Sequence, residues 1–156
     1  MTGQDLYTTL ESTATDFITS LSPGTAGSNN PNPVQIMSNM SPDFRSDFGH
    51  RFFVSTKPHL QGRHGAEHFV NRMAFMAVKL ETWKIDTTDV VVDERKKSVM
   101  VKSDFHMIVR GGKAVVNEIV FLLGMDESGQ EIVNATEFVD AEAASEIARL
   151  MQGGGQ

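Results

Sequence analysis

Four polar side chains in the C-terminal half of the chain could carry acid–base chemistry if the backbone gathered them: Asp104, His106, Asn117 and Glu137. A carboxyl group, its pKa raised by an apolar cavity, can exchange a proton with a substrate carbon or hydroxyl. For that role the sequence offers Glu137 or Asp104, with His106 as the partner acid or base and Asn117 as a donor to a carbonyl or enolate oxygen. Such a set needs no cofactor, because oriented donors in an apolar pocket suffice to stabilise an enolate. Taken singly, each residue also has a purely structural explanation. Asp104 and His106 could be a solvated pair, Asn117 could satisfy a backbone group, and Glu137 could pair with a helix arginine such as Arg72 or Arg63.

What would gather them is a sheet. From Trp83 onward apolar residues recur with a period of two, which predicts strands over 83–93, 97–110, 113–125 and 131–139. The turns between them fall at Asp93–Lys96, Gly111–Gly112 and Asp126–Gln130. If Gly111 and Gly112 form a two-residue loop, Arg110 faces Lys113, and His106 then lies opposite Asn117 with Asp104 opposite Ile119. The longer turn puts Met125 near Glu131, and hence Ile119 near Glu137. One face then carries Asp104, His106, Asn117, Ile119, Phe121 and Glu137. The other, with Val99, Val101, Phe105, Met107 and Leu122, is largely apolar. Helices can cover only one side, so the second apolar side predicts a homodimer through the outer sheet face.

Ahead of the sheet the spacing is helical. Leu6, Leu10, Thr13, Phe17 and Leu21 predict a helix over 5–21, Pro33 opens a short second one, and Ala66, Phe69, Val70, Met73 and Leu80 mark a third over 63–80. Residues 22–30 form a loop by composition, and 43–62 reads as irregular with a short strand near 50–55. A short helix over Ala141–Met151 leaves 152–156 as a disordered tail. Helices followed by a meander define an α+β fold, here one domain over 1–156: a curved antiparallel sheet covered by three N-terminal helices.

Composition narrows the function classes. With 156 residues, 40% hydrophobic and 22% charged, the chain suits a single globular domain. The net charge is −6, and the densest basic run, Arg95–Lys97, sits beside Asp93 and Glu94, so no nucleic-acid footprint is present. No apolar run approaches the roughly 20 residues of a membrane helix. The first residues carry no basic n-region and no apolar h-region, unlike a secretory signal. The absence of cysteine rules out disulfides and thiolate zinc sites and fits a cytoplasmic protein. His64 and His68 are four apart, but the order is H-G-A-E-H and no third ligand converges, so no metal is expected. The partner these features leave is a small molecule.

The segments Val90–Glu94 before a basic turn, Asn117-Glu118-Ile119, Asp126-Glu127-Ser128-Gly129 and Glu137-Phe138-Val139-Asp140 together resemble a known pattern. It is that of the SnoaL-like (nuclear transport factor 2-like) proteins of fungal secondary-metabolite clusters, and the resemblance spans roughly residues 5–150. It implies a cone-shaped fold and a cofactor-independent isomerase or cyclase acting on a polyketide, terpenoid or alkaloid. It also implies that Glu137 is a catalytic acid or base and that Arg45 contacts substrate oxygens. A tyrosine hydroxyl common in the family is replaced here by Ile119, so His106 or Asp104 would have to supply the acid. Arg45, Asn117, Ile119, Phe121, His50, His68 and Arg72 are then the expected substrate-binding set. Two alternatives use the same pocket: a dehydratase employing His106 with His50 or His68, and a non-catalytic small-molecule binder.

Overall fold

The computed structural model describes residues 3–22 and 31–153; of the loop expected at 22–30 and the tail expected at 152–156, residues 23–30 and 154–156 lie outside the described residues. In chain order the elements are helix α1 (Gly3–Ser20), α2 (Pro33–Met37), strand β1 (Met40–Phe48), α3 (Arg51–Ser55), a 3-10 turn (Pro58–Leu60), α4 (Ala66–Lys79), β2 (Leu80–Asp93), β3 (Ser98–Val109), β4 (Ala114–Met125), β5 (Ile132–Phe138) and α5 (Ala141–Gly153). Local chemistry explains the helix starts. Asn32 caps α2, its side-chain oxygen accepting from the Val34 and Gln35 amides at 3.0 and 3.3 Å, and Pro33 fills the first turn.

The strands form one sheet in the order β1-β5-β4-β3-β2. The four-strand meander is as expected, but a fifth strand, β1, adds to its edge, parallel to β5. The segment over 43–62 therefore begins as a strand, and the strand expected near 50–55 is the helical turn α3. Pro42 is tolerated because an edge strand need not donate on both sides. Gln152 and Gly153, expected in the tail, belong to α5.

Pairing shifts interrupt β1, both halves of β2 and the β4–β5 ladder. Such irregularities bend strands and increase twist, and they curl the sheet around one face. That face is covered by α1 and α4, with α5 packed against β3 and β4 from the C-terminal side.

Four phenylalanines from four elements lock the layers together. Phe17 of α1 lies 6.5 Å from Phe44 of β1, 5.6 Å from Phe69 of α4 and 6.2 Å from Phe121 of β4, centroid to centroid. All four are essentially inaccessible to solvent. Two polar ties hold α1 in place: Thr13 Oγ1, in mid-helix, donates to the Gly129 carbonyl at 2.6 Å, and Trp83 Nε1 donates at 3.0 Å to the carbonyl of Leu21, just past the last turn.

The β3–β4 register differs from the sequence expectation by one residue. His106 pairs with Val116, Phe105 with Asn117 and Asp104 with Glu118. Met107 opposite Val115 leaves Arg110, Gly111 and Gly112 as a three-residue loop, with Gly111 at φ +75°. A slip of one turns the whole of β3 over. Its apolar set, Val99, Val101, Phe105, Met107 and Val109, therefore faces the helices and is buried. Asp104 and His106 face outward. The β4–β5 register differs by two, with Phe121 rather than Ile119 opposite Glu137, and an even slip keeps Asn117, Phe121 and Glu137 on the inner face.

Removing the ring that touches all three others should be costly. Urea denaturation of Phe17→Ala should show a loss of about 3–5 kcal/mol. Phe52→Ala, at a side chain 82% exposed, should stay within about 0.5 kcal/mol of the parent.

Candidate active site

Beyond the phenylalanine cluster the inner face does not close. A cavity of about 800 Å³ opens between the sheet, the second half of α4, the 3-10 turn and α5. Its floor is Phe105 and Met107 of β3, Asn117, Ile119 and Phe121 of β4, and Glu137 of β5, which alternation aims inward together. Its walls are Met73 and Met76 of α4, Trp83 of β2, and Ala144, Ile147 and Ala148 of α5. The exposed lining residues His59, Phe75, Arg149 and Gln152 mark the mouth.

Glu137 is 6% exposed and is the one charged side chain buried among the described residues. Arg72, on α4, donates from Nη2 to Glu137 Oε1 at 2.8 Å. The guanidinium is itself flanked by rings, 4.7 Å from the Phe48 centroid and 5.0 Å from that of Phe69. Glu137 Oε2 carries no hydrogen bond from the described residues, so one carboxylate oxygen is anchored and the other is available to a ligand. The neighbouring amide is similarly divided. Asn117 Oδ1 accepts from the Asp140 amide at 3.1 Å, which leaves its nitrogen as the donor a ligand could meet. Arg149 is tied to Glu146, Nε to Oε2 at 2.9 Å. Hydrogen bonding from Arg149, and secondarily from Lys113, holds the Glu146 carboxyl down to about 2 against a smaller effect of desolvation.

Of the residues the sequence singled out, the cavity brings together Glu137, Arg72, Asn117, Ile119 and Phe121. The others lie elsewhere. His106 is on the outer face, its Nε2 3.1 Å from Asp86 Oδ2, and Asp104 stands between Asp86 and Glu118 on that same face. Arg45 is exposed and donates to the Phe44 carbonyl at 2.7 Å; it falls on the outward phase of β1, opposite Asn134. His50 packs edge-on to Phe138 at 5.3 Å, outside the cavity. His68 is exposed and stacks on His64, with centroids 3.9 Å apart and planes 21° from parallel. Among the lining residues that sequence reasoning missed are Lys57, His59, Lys79, Trp83, Phe105 and Met107. The last two were visible in the period-two pattern and were lost only through the hairpin register.

The curved five-stranded sheet with its covering helices has the nuclear transport factor 2-like, SnoaL-like fold. Solved structures place the chain within it. It is similar to BvnE pinacolase from Penicillium brevicompactum, with TM-score 0.79 and 15% identity over 98% of this chain and 97% of that one. It is similar to PrhC from Penicillium brasilianum, with TM-score 0.79 and 14% identity over 96% and 92%. A SnoaL-like polyketide cyclase from Jannaschia superposes with TM-score 0.70 and 16% identity over 91% and 92%. No family model and no curated protein matches the sequence. No helix among the described residues is long and apolar enough to cross a membrane.

One turn before Arg72, the His68 imidazole is pushed below its usual 6.5 by desolvation, then by His64 and Arg72. The folded chain thus binds fewer protons here than the unfolded chain. The stability this contributes is present above pH 6.5 and declines as pH falls from there through the folded value. NMR titration should give His68 a midpoint below 6.5, and His64→Gln should raise it only part of the way back.

Proposed function

We propose that the protein is a cofactor-independent isomerase or cyclase that acts by acid–base catalysis on a polyketide, terpenoid or alkaloid intermediate of fungal secondary metabolism. The observation that carries this reading is Glu137: a buried carboxylate with one oxygen held by Arg72 and the other turned to a cavity of about 800 Å³. That size suits a polycyclic metabolite, since ligand pockets run from about 300 to 1,000 Å³.

In this scheme Oε2 of Glu137 removes a proton from a substrate carbon or hydroxyl. The negative charge that develops on the substrate oxygen is met by the Asn117 amide and by the remaining N–H groups of Arg72. With Asp104 and His106 on the outer face, the protonated Glu137 is also the acid that returns the proton at a second position. One group thus serves both steps, and the net change is an isomerisation, or a ring closure where the carbanion meets an internal electrophile. His59 is the histidine that lines the cavity, and it is the candidate acid for a dehydration. A non-catalytic binder is the second reading, favoured by the Arg72–Glu137 ion pair, which accounts for a buried carboxylate without any reaction. The cysteine-free chain suits the reducing cytoplasm.

A homodimer through the outer sheet face is part of the same proposal. It is supported by Val91, Met100 and Leu122, which lie side by side across β2, β3 and β4 and are 49%, 39% and 44% exposed.

Incubating the protein with polycyclic ketones in D₂O and reading the products by mass spectrometry tests the chemistry. The parent should transfer solvent deuterium into an isomerised product, and Glu137→Gln should lose about 10²–10⁴-fold in rate while remaining folded. Full activity in that variant would sink the assignment, and ligand binding without exchange in the parent would favour the binder. For the dimer, sedimentation velocity should show Leu122→Glu as a monomer at concentrations where the parent is dimeric.

A further inference from the structure

We infer that the substrate of this cavity carries a carboxylate on its apolar body, drawn in and held by Lys57 and Lys79. The inference rests on the reading of the cavity as the substrate site.

The lining is charged in the wrong sense for this chain. It contains Lys57, Arg72, Lys79 and Arg149 against one carboxylate, Glu137, in a sequence with 20 acidic and 14 basic residues. Composition alone would place more acids than bases there. Two of these cations are already matched within the protein: Arg72 by Glu137 at 2.8 Å, and Arg149 by Glu146 at 2.5 Å. Lys57 and Lys79 make no ion pair among the described residues. Among the described residues the Lys79 ammonium faces the Phe75 ring, 5.9 Å away. Lys79 has an ordinary role as a basic residue in the last turn of α4. That does not extend to Lys57, which precedes the 3-10 turn and belongs to no helix.

Both side chains are half-buried on an otherwise largely apolar wall. A lysine so placed lays its methylene stem along the apolar surface and keeps its head for water or for an anion. An anion that arrives on a ligand gains charge-assisted hydrogen bonds in a partly desolvated mouth, and the unmatched positive charge steers it there. The apolar body of the same ligand is then taken up by the deeper methionine, phenylalanine and tryptophan surface.

The sole tryptophan, Trp83, is buried on the cavity wall and reports occupancy by its fluorescence. Titration with abietic acid and with its methyl ester compares two tricyclic ligands that differ in the ionised group. At low salt the acid should bind about tenfold more tightly than the ester. The preference should shrink in about 0.5 M salt. In Lys57→Met/Lys79→Met it should fall to within about twofold while the ester's affinity is unchanged. If the double variant loses ester binding, the single variants Lys57→Met and Lys79→Met are read by the same criterion. Equal affinities in the parent, or a preference that survives the lysine exchanges, overturns the inference; ester binding in those cases leaves the cavity standing as a ligand site. Binding of neither ligand overturns both.

Discussion

A carboxylate placed in an apolar interior without a partner costs several kcal/mol, so the position of Glu137 constrains everything around it. Arg72 has to reach it from α4, and the reach sets how that helix sits over β5. The guanidinium then has to be sandwiched, which recruits Phe48 from the edge strand and Phe69 from its own helix. One hydrogen bond of 2.8 Å thus ties α4 to β5, with a ring of β1 beside the guanidinium. The pair also keeps the interior from closing. Apolar side chains packed onto it would strip the remaining polar atoms of contact with water or ligand, so a hollow beside the pair is the less costly arrangement.

The inner face is accordingly divided between a filled end and a hollow end. Val99, Val101, Leu123, Ile132 and Ala135 are buried in one cluster with the four phenylalanines, and their burial contributes to stability. Phe105, Met107, Asn117 and Glu137 lie further along the same strands and line the cavity. The fold can therefore hold an uncovered apolar surface at one end because the other is packed to solidity. The SnoaL-like architecture realises this with a sheet curled by its pairing irregularities and not by closure into a barrel.

Much of this was legible in the residues. The period-two pattern after Trp83 located four strands to within a few residues, and the spacing of Leu6, Leu10 and Phe17 located the first helix. Arg72 was one of two arginines the sequence offered as a partner for Glu137. What failed was parity. Gly111-Gly112 invites a two-residue loop, but the chain uses three, and nothing local distinguishes them, because glycine accepts either turn. The burial pattern carried the missing information: Phe105, Met107 and Val109 are a more apolar set than Asp104, His106 and Ile108, and the sheet face under the helices takes the more apolar set. The strand β1 was illegible for a different reason. Its residues MSPDFRSDF carry proline and two aspartates, and its pairing with β5 is parallel and remote in sequence. Lys57 and His59 reach the cavity from the poorly patterned segment that follows.

Helix α5 makes no backbone ladder with the sheet and is seated mainly by Ala143 and Ile147, yet Ala144 to Gln152 form one whole side of the cavity. Shape selection is thereby uncoupled from folding. Exchanges at Ala144, Ala148 or Met151 resize the chamber without altering the strand pairings. Substitution along a single helical face can thus change the shape of the chamber while leaving the Arg72–Glu137 pair in place.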